Sequence, residues 1–503
     1  MTENMFRESV LGVSTYTQAN ERTPLLQKSQ SNMAEKNVGV SQETLVSQAG
    51  QTLKAKKLPQ YIASLAATLG AVAAGMMLGW SSPAGKDGVE LEATYHITIS
   101  PEEFSWIGAL APLGAAVACV PIGILTDIIG RKYSMLILVV PFTIGWLCLI
   151  FANSVALFYV GRFITGFSGG AFCVTAPMYT AEISENDIRG SLGSYFQLLL
   201  TVGILLSYLL GTVVNMFELS IISAIIPIIF FIVFFFMPET PTYYLKKGNE
   251  DAARASFTRL RGAHYNVEPE LNLLKDSLEE TNRNRVPFLT AIRSRASRKA
   301  LVIAYGLMIF QQLSGINAVI FYAGSIFVET GGSLKPDEAS IVIGVMQVVA
   351  VFVSTLIVDR LGRRILLTAS IIALSACAFI LGIYFYLQDT KQDVTNIGWL
   401  PLASLCIFII LFSIGFGPLP WMMIGEIFAP EVKGIAGSSA CLFNWLLAFL
   451  VTKTYTNLNT VMHPYGTFWL FSVISAIGVF FVLFLVPETK GKSLEDIQRE
   501  LSS

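Results

Sequence analysis

The chain has 503 residues, 53% of them hydrophobic and only 14% charged, with 34 phenylalanines and a formal net charge of -1. That composition excludes a large soluble protein, marks an integral membrane protein, and gives no reason to expect a nucleic-acid partner. Six cysteines, all in apolar segments and without CxxC spacing, and three widely separated histidines point to no disulfide, metal, cofactor or catalytic cluster.

Residues 1–58 are rich in Ser, Thr, Gln and Asn and are expected to form a disordered cytosolic tail with no signal peptide. Within it, Glu21 stands four residues ahead of the pair Leu25-Leu26, an acidic dileucine pattern of the kind that clathrin adaptors read. Hydrophobic spans follow at about Gln60–Trp80, Phe104–Leu125, Tyr133–Ala152, Val155–Thr180, Leu192–Val214 and Leu219–Met237. A charged stretch over 239–299 interrupts them. There, Leu271, Leu274 and Leu278 follow Pro269 at helical spacing, as expected of short amphipathic helices lying against the cytosolic face. Six further spans come at about Leu301–Val328, Ser340–Val358, Ile365–Leu387, Trp399–Ile427, Ile435–Asn457 and Phe468–Val486. The expected fold is thus an all-α membrane protein of twelve transmembrane helices in two six-helix bundles, over 59–238 and 300–487, with a cytosolic tail at 488–503.

Lys and Arg set the orientation. Arg131, Lys132, Arg189, Arg360, Arg363, Arg364, Lys433 and the basic central loop share one side, against scattered Lys86, Lys335 and Lys391 on the other. Both termini are therefore expected in the cytosol.

Three motifs recur in order. Asp127-Ile-Ile-Gly-Arg-Lys132 returns as Asp359-Arg-Leu-Gly-Arg-Arg364, Glu182 with Arg189 as Glu426 with Lys433, and Pro238-Glu239-Thr240 as Pro487-Glu488-Thr489, at offsets of 232, 244 and 249 residues. This is an internal duplication, and a ligand site is expected between the halves. The repeated charges read either as ordinary helix-end charge or as a latch. In the latch reading Asp127, Glu182, Glu239, Asp359, Glu426 and Glu488 pair with Arg131, Arg189, Arg363, Arg364 and Lys433 across and within the bundles. Exposed pairs worth about 0–1 kcal/mol each suit a network that breaks in every cycle. Arg162, inside an apolar span, is a further functional candidate. The first span, Gln60–Trp80, offers no Asp or Glu to accompany it, which argues for downhill transport without a proton.

Phe310–Tyr322, FQQLSGINAVIFY, places amides in an apolar span, where an unpaired amide costs about 1–3 kcal/mol. Gln311, Ser314, Gly315 and Tyr322 share a helical face with Gln312 on its flank; Asn317 joins them only if the helix breaks or rotates around Ser314-Gly315. Such a face also serves as glue between helices. Gln197, Gln347 and Asn444 add amides from other spans, and Gly415-Phe-Gly-Pro-Leu-Pro-Trp421 breaks the tenth. Amides that both donate and accept match the hydroxyls of a neutral sugar, and Trp421 can cover a sugar ring or pack at the membrane interface. Nothing in the sequence assembles a nucleophile, general base or phosphate loop, so an enzyme is not expected.

The segments GILTDIIGRK, GRFITGFSGG, PMYTAEISENDIRG, PETP, QQLSGINAVIFY, DRLGRR, GFGPLPW and PETKGKSLEDI resemble the sugar-porter branch of the major facilitator superfamily. FNWLLAFLVTKTY, PYGTFWLF and the dileucine-bearing tail look most like insect facilitated trehalose transporters and the endosomal class of animal glucose transporters. The resemblance implies a facilitative carrier for trehalose or glucose that works by alternating access in the cell membrane, with cycling through endosomes or lysosomes. Carried over, Gln197, Gln311, Gln312, Asn317, Trp421 and Asn444 would bind sugar and Tyr322 would help form the outer gate. Gln347 and Ser413 depart from glucose carriers, and Ser81 stands where proton-coupled relatives carry Asp. The rivals are a proton-coupled symporter and a non-transporting sensor; the short C-terminal tail speaks against the sensor.

Overall fold

Hydrocarbon offers no partner to a backbone N–H or C=O, so a long apolar run has to pair its peptide groups within a helix. The computed structural model describes residues 55–283, 294–331, 335–428, 430–492 and 494–502, and every regular element among them is helical. The dileucine segment and the side chains of Asp359 and Lys433 lie outside the described residues.

Six spans form the first half: Leu58–Gly79, Pro101–Ile129, Arg131–Ile150, Val155–Ile183, Asp187–Gly211 and Met216–Phe235. The second half contains Arg295–Thr330, Pro336–Val358, Arg363–Asp389, Thr395–Ile427 and Ile435–Leu485. At 1.5 Å per residue the last of these would be about 76 Å long, more than twice the hydrocarbon thickness. It is divided at His463, whose backbone (φ 59, ψ 164) breaks the helix before Pro464. The two pieces, 435–462 and 464–485, are the eleventh and twelfth spans, giving the expected twelve among the described residues.

Helix starts on one side of the bundle are specified locally. Ser100 with Glu103 and Asn215 with Glu218 form reciprocal capping boxes at the second and sixth spans, satisfying amides that the helix leaves unpaired. Small residues then bring helices close together. A Cβ on Gly166 of the fourth span would lie 2.1 Å from the Ala111 carbonyl oxygen of the second, so only glycine fits that crossing.

Between the halves run three short helices, Pro241–Lys246, Glu250–Arg261 and Glu268–Arg283. Ala253, Phe257, Val267 and Leu271 bury one another with Leu274 alongside; of the three leucines at helical spacing, Leu278 is not part of this cluster. Buried Arg261 fastens this layer to the first half, donating to the Ile183 carbonyl at 2.8 Å and to Glu270 at 3.0 Å. The terminal helix Leu494–Ser502 buries Ile497 and Leu501, and Gln498 donates to the Ile427 carbonyl at 2.5 Å. These helices define what is called below the loop face.

Candidate functional site

Breaks in two spans build the centre of the protein. The seventh span runs as Arg295–Leu313 and resumes as Ile316–Thr330. Between them Gly315 takes φ 91, ψ 9, with room only for hydrogen, since a Cβ would lie 2.5 Å from the Phe471 ring. This rotation brings Asn317 to its neighbours: its Nδ2 donates to Gln312 Oε1. Gln312 Nε2 in turn donates to Asn444 Oδ1 at 2.8 Å, and Asn444 Nδ2 to Gln311 Oε1 at 2.6 Å.

The chain ends on backbone. The tenth span is interrupted between Ile414 and Leu419, with Gly415 at φ -111, ψ -87. Gln311 Nε2 donates to two carbonyls in that gap, Phe416 at 2.6 Å and Gly417 at 3.1 Å. Four residues, about one helical turn, beyond Gly417, Trp421 is 39% exposed. Gln197 is half-buried on the fifth span and Gln347 buried on the eighth. Neither side chain hydrogen-bonds another protein group among the described residues, and the buried Ser413 hydroxyl is likewise without a partner.

On the face away from the loops, the two halves close over this centre. The seventh span bends again at Tyr322 (φ -119, ψ 22), whose hydroxyl donates to the Thr452 carbonyl at 3.0 Å and whose ring stacks on Tyr455 at 5.1 Å. Hydroxyls of the first half cap peptide groups around the bend. Tyr208 donates to the Ile320 carbonyl at 2.7 Å, Ser81 to that of Phe321 at 3.1 Å, and Ser82 accepts from Gly324 N–H at 3.1 Å. Ion pairs Lys86–Glu329 (3.4 Å) and Lys453–Glu102 (2.7 Å) join the same rim. Deeper in, Cys119 and Cys441 bring their sulfurs to 3.4 Å. Toward the loop face, a Cβ on Gly123, Gly190 or Gly193 would meet nothing within 4 Å. The contacts around the bend shut the central amides off from the face away from the loops.

The duplicated charges form two matching clusters at the loop face. Buried Arg131 holds Glu182 at 2.8 Å and Asp127 at 3.3 Å, while Thr240 Oγ1 donates to Glu182 at 2.6 Å. In the second half Arg363 holds Glu426 at 3.1 Å and Thr489 Oγ1 donates to it at 2.5 Å. Glu239 accepts from the N–H groups of Arg131 (3.1 Å) and Lys132 (2.9 Å), as Glu488 does from Arg363 (2.9 Å) and Arg364 (3.0 Å). Each carboxylate thus sits on a helix N-terminus, where aligned amides favour an anion. The two differ in burial. Desolvation pushes the Glu239 carboxyl above the usual range despite its amide donors. At Glu488 burial acts in the same direction but is outweighed by four backbone donors, which hold it below.

The pairs Arg131–Glu182, Arg131–Asp127 and Arg363–Glu426 each lie within one half. Among the described residues the Arg189 guanidinium reaches the Ser184 carbonyl, at 3.5 Å, rather than Glu182, and that of Arg364 donates to the Leu483 carbonyl. Thr240 and Thr489 were overlooked in the sequence reading, although their place in the repeated Pro-Glu-Thr was the available signal. Arg162 is fully buried, donating to the carbonyls of Ile107 (3.0 Å) and Met77 (2.8 Å), with its guanidinium 5.2 Å from the Trp80 ring centre. No carboxylate pairs with it among the described residues.

A family model described as sugar (and other) transporter matches residues 38–501. The chain belongs to that family. It is 42% identical over 444 residues to a facilitated trehalose transporter of Bombyx mori, covering 88% of this chain and 87% of the relative. Among solved structures, the proton:xylose symporter XylE bound to 6-bromo-6-deoxy-D-glucose superposes with a TM-score of 0.73 at 24% identity, covering 88% of this transporter and 99% of that chain. A partially occluded inward-open form of XylE from E. coli also gives 0.73, at 22% identity, over 86% and 99%. At these identities the structures establish the fold alone.

Proposed function

We propose that this transporter carries a neutral sugar, trehalose or glucose, down its gradient by alternating access. The observation that carries the reading is the chain Asn317–Gln312–Asn444–Gln311, anchored on the broken tenth span. Its pre-oriented amides, with the free amides of Gln197 and Gln347 and the open face of Trp421, match ring hydroxyls and C–H surface. Facilitated rather than proton-driven movement is supported by the surroundings of Arg162, which donates to two peptide carbonyls and lies against an aromatic face with no carboxylate beside it among the described residues, and by the serine at position 81.

The loop face is the cytosolic one on the distribution of Lys and Arg, so both termini are cytosolic and the closed bend at Tyr322 faces outside. At the loop face Glu182 pairs with Arg131 and Glu426 with Arg363, each within its own half. Closing that face would bring the two clusters together and let Arg189, Arg364 and Lys433 form pairs across the halves. Glu21, Leu25 and Leu26 would bind clathrin adaptors and take the protein between the cell membrane and endosomes or lysosomes; Leu25→Ala with Leu26→Ala should raise its share at the cell surface.

Uptake of labelled trehalose and glucose in oocytes, with and without a proton ionophore, tests the reading. Ionophore-insensitive uptake of either sugar is expected; collapse of the flux would establish proton coupling, and binding without flux would make the protein a sensor.

A further inference from the structure

Two ion pairs join one half of the protein to the other, and both stand on the face away from the loops. Lys86, between the first and second spans, holds Glu329 at the end of the seventh at 3.4 Å. Glu102, at the start of the second span, holds Lys453 of the eleventh at 2.7 Å. Each pair sets a mostly covered charge against an open one: the side chains of Glu329 and Lys453 are 19% and 12% exposed, those of Lys86 and Glu102 45% and 56%. The Lys453 ammonium also lies 4.9 Å from the centre of the Trp106 ring, about one turn along the second span from Glu102. At the loop face, by contrast, Arg131–Glu182 and Arg363–Glu426 each lie within one half.

Where the partners sit says what the pairs do. Glu329 follows Tyr322 by about two turns on the outer piece of the seventh span. Lys453 follows Thr452, whose carbonyl takes the Tyr322 hydroxyl. The gate contact is thus made by two helices of the second half, and each of them is tied to the first half by one ion pair. Parting the halves on this face has to break both. We propose that Lys86–Glu329 and Glu102–Lys453 form an outer latch, which makes the gate-closed arrangement the resting state of the empty protein and limits how much of it presents its centre to sugar outside. The proposal rests on the alternating-access reading above. A surface ion pair shifts an equilibrium by up to about fivefold, and pairs that share no residue act independently, so the latch favours the closed gate by about tenfold. Apparent affinity falls with the fraction of protein that is competent to bind, so the latch raises the half-saturating concentration of sugar outside.

The test reads gate opening directly, on the full chain in intact cells and without sugar. Thr452 is fully buried, and its methyl group faces Gly108 of the first half. A Thr452→Cys chain is therefore labelled by a membrane-impermeant maleimide outside only when the halves part; the unsubstituted chain, with its six cysteines, is the blank. Glu329→Gln and Glu102→Gln should each speed labelling about two- to fivefold, and together about tenfold. Exchanging the charges, Lys86→Glu with Glu329→Lys, should restore the slow rate. Rates unchanged by either neutralisation would overturn the latch. So would a charge exchange that labels as fast as Glu329→Gln alone, since the acceleration would then come from lost packing rather than from a lost ion pair. Uptake of trehalose and glucose by the unsubstituted chain keeps the two readings apart: flux with unchanged labelling removes the latch and leaves the carrier, whereas faster labelling without flux keeps the latch and removes the carrier.

Discussion

Replacing Gln312 by alanine is the most informative single change. It removes a side chain that donates to Asn444 at 2.8 Å and accepts from Asn317. Asn444 Oδ1 and Asn317 Nδ2 lose their partners, and each orphaned buried group costs about 1–3 kcal/mol unless water enters. Asn444 keeps its bond to Gln311, so the change stays confined to this network and the protein should still fold. The sugar loses at least one direct hydrogen bond, worth about 0.5–1.5 kcal/mol, together with the orientation of the neighbouring amides. At 1.4 kcal/mol per factor of ten, KM for uptake should rise about tenfold. Uptake kinetics normalised to surface-labelled protein measure this directly. Asn444→Ala should have a similar effect, and the double variant should resemble either single one, because both break the same network. Unchanged KM for Gln312→Ala, or penalties that multiply in the double variant, would refute the idea that these amides act as one unit at the sugar.

Gly315→Ala places a Cβ in a left-handed conformation against Phe471 and should lower uptake at least about tenfold through steric strain; full activity would show that the break at Ser314-Gly315 is dispensable. Arg131→Ala strands Glu182 and should lower stability by about 3–5 kcal/mol, whereas Arg189→Ala, which loses only a 3.5 Å contact, should stay within about 0.5 kcal/mol; denaturation of the purified protein compares them. The carboxyls of Glu239 and Glu488 predict opposite pH trends. Glu239 titrates higher in the folded protein, so its contribution is full in acid and is lost as pH rises through its raised pKa. Glu488 titrates lower, so its contribution is present at neutral pH and is lost as pH falls through its depressed pKa. Relative to wild type, the melting temperature of Glu239→Gln should therefore climb as pH rises from about 4 to 7 and that of Glu488→Gln should fall; parallel curves would refute the contrast.

What the sequence determined by itself was everything written in periodicity, length and repetition. Apolar runs of spanning length have one solution in hydrocarbon, the helix, and the duplicated motifs divided the spans into two halves. Phe310–Tyr322 located the point, Ser314-Gly315, at which its helix would have to break for Asn317 to join Gln311 and Gln312. Tertiary structure decided which partners these groups take. Glu182 chose Arg131, from another helix, over Arg189 seven residues along its own segment, a choice set by how helices pack and invisible to spacing. The acceptors for Gln311 are carbonyls of Phe416 and Gly417, and backbone exposed by a break carries no side-chain signature. The gate contacts of Ser81, Ser82 and Tyr208 were equally hidden, since they bind peptide groups of the opposite half. Which face is closed belongs wholly to the tertiary level. One sequence must serve both states of an alternating carrier, so it encodes the helices and their charges, while the arrangement of the halves selects which contacts are made.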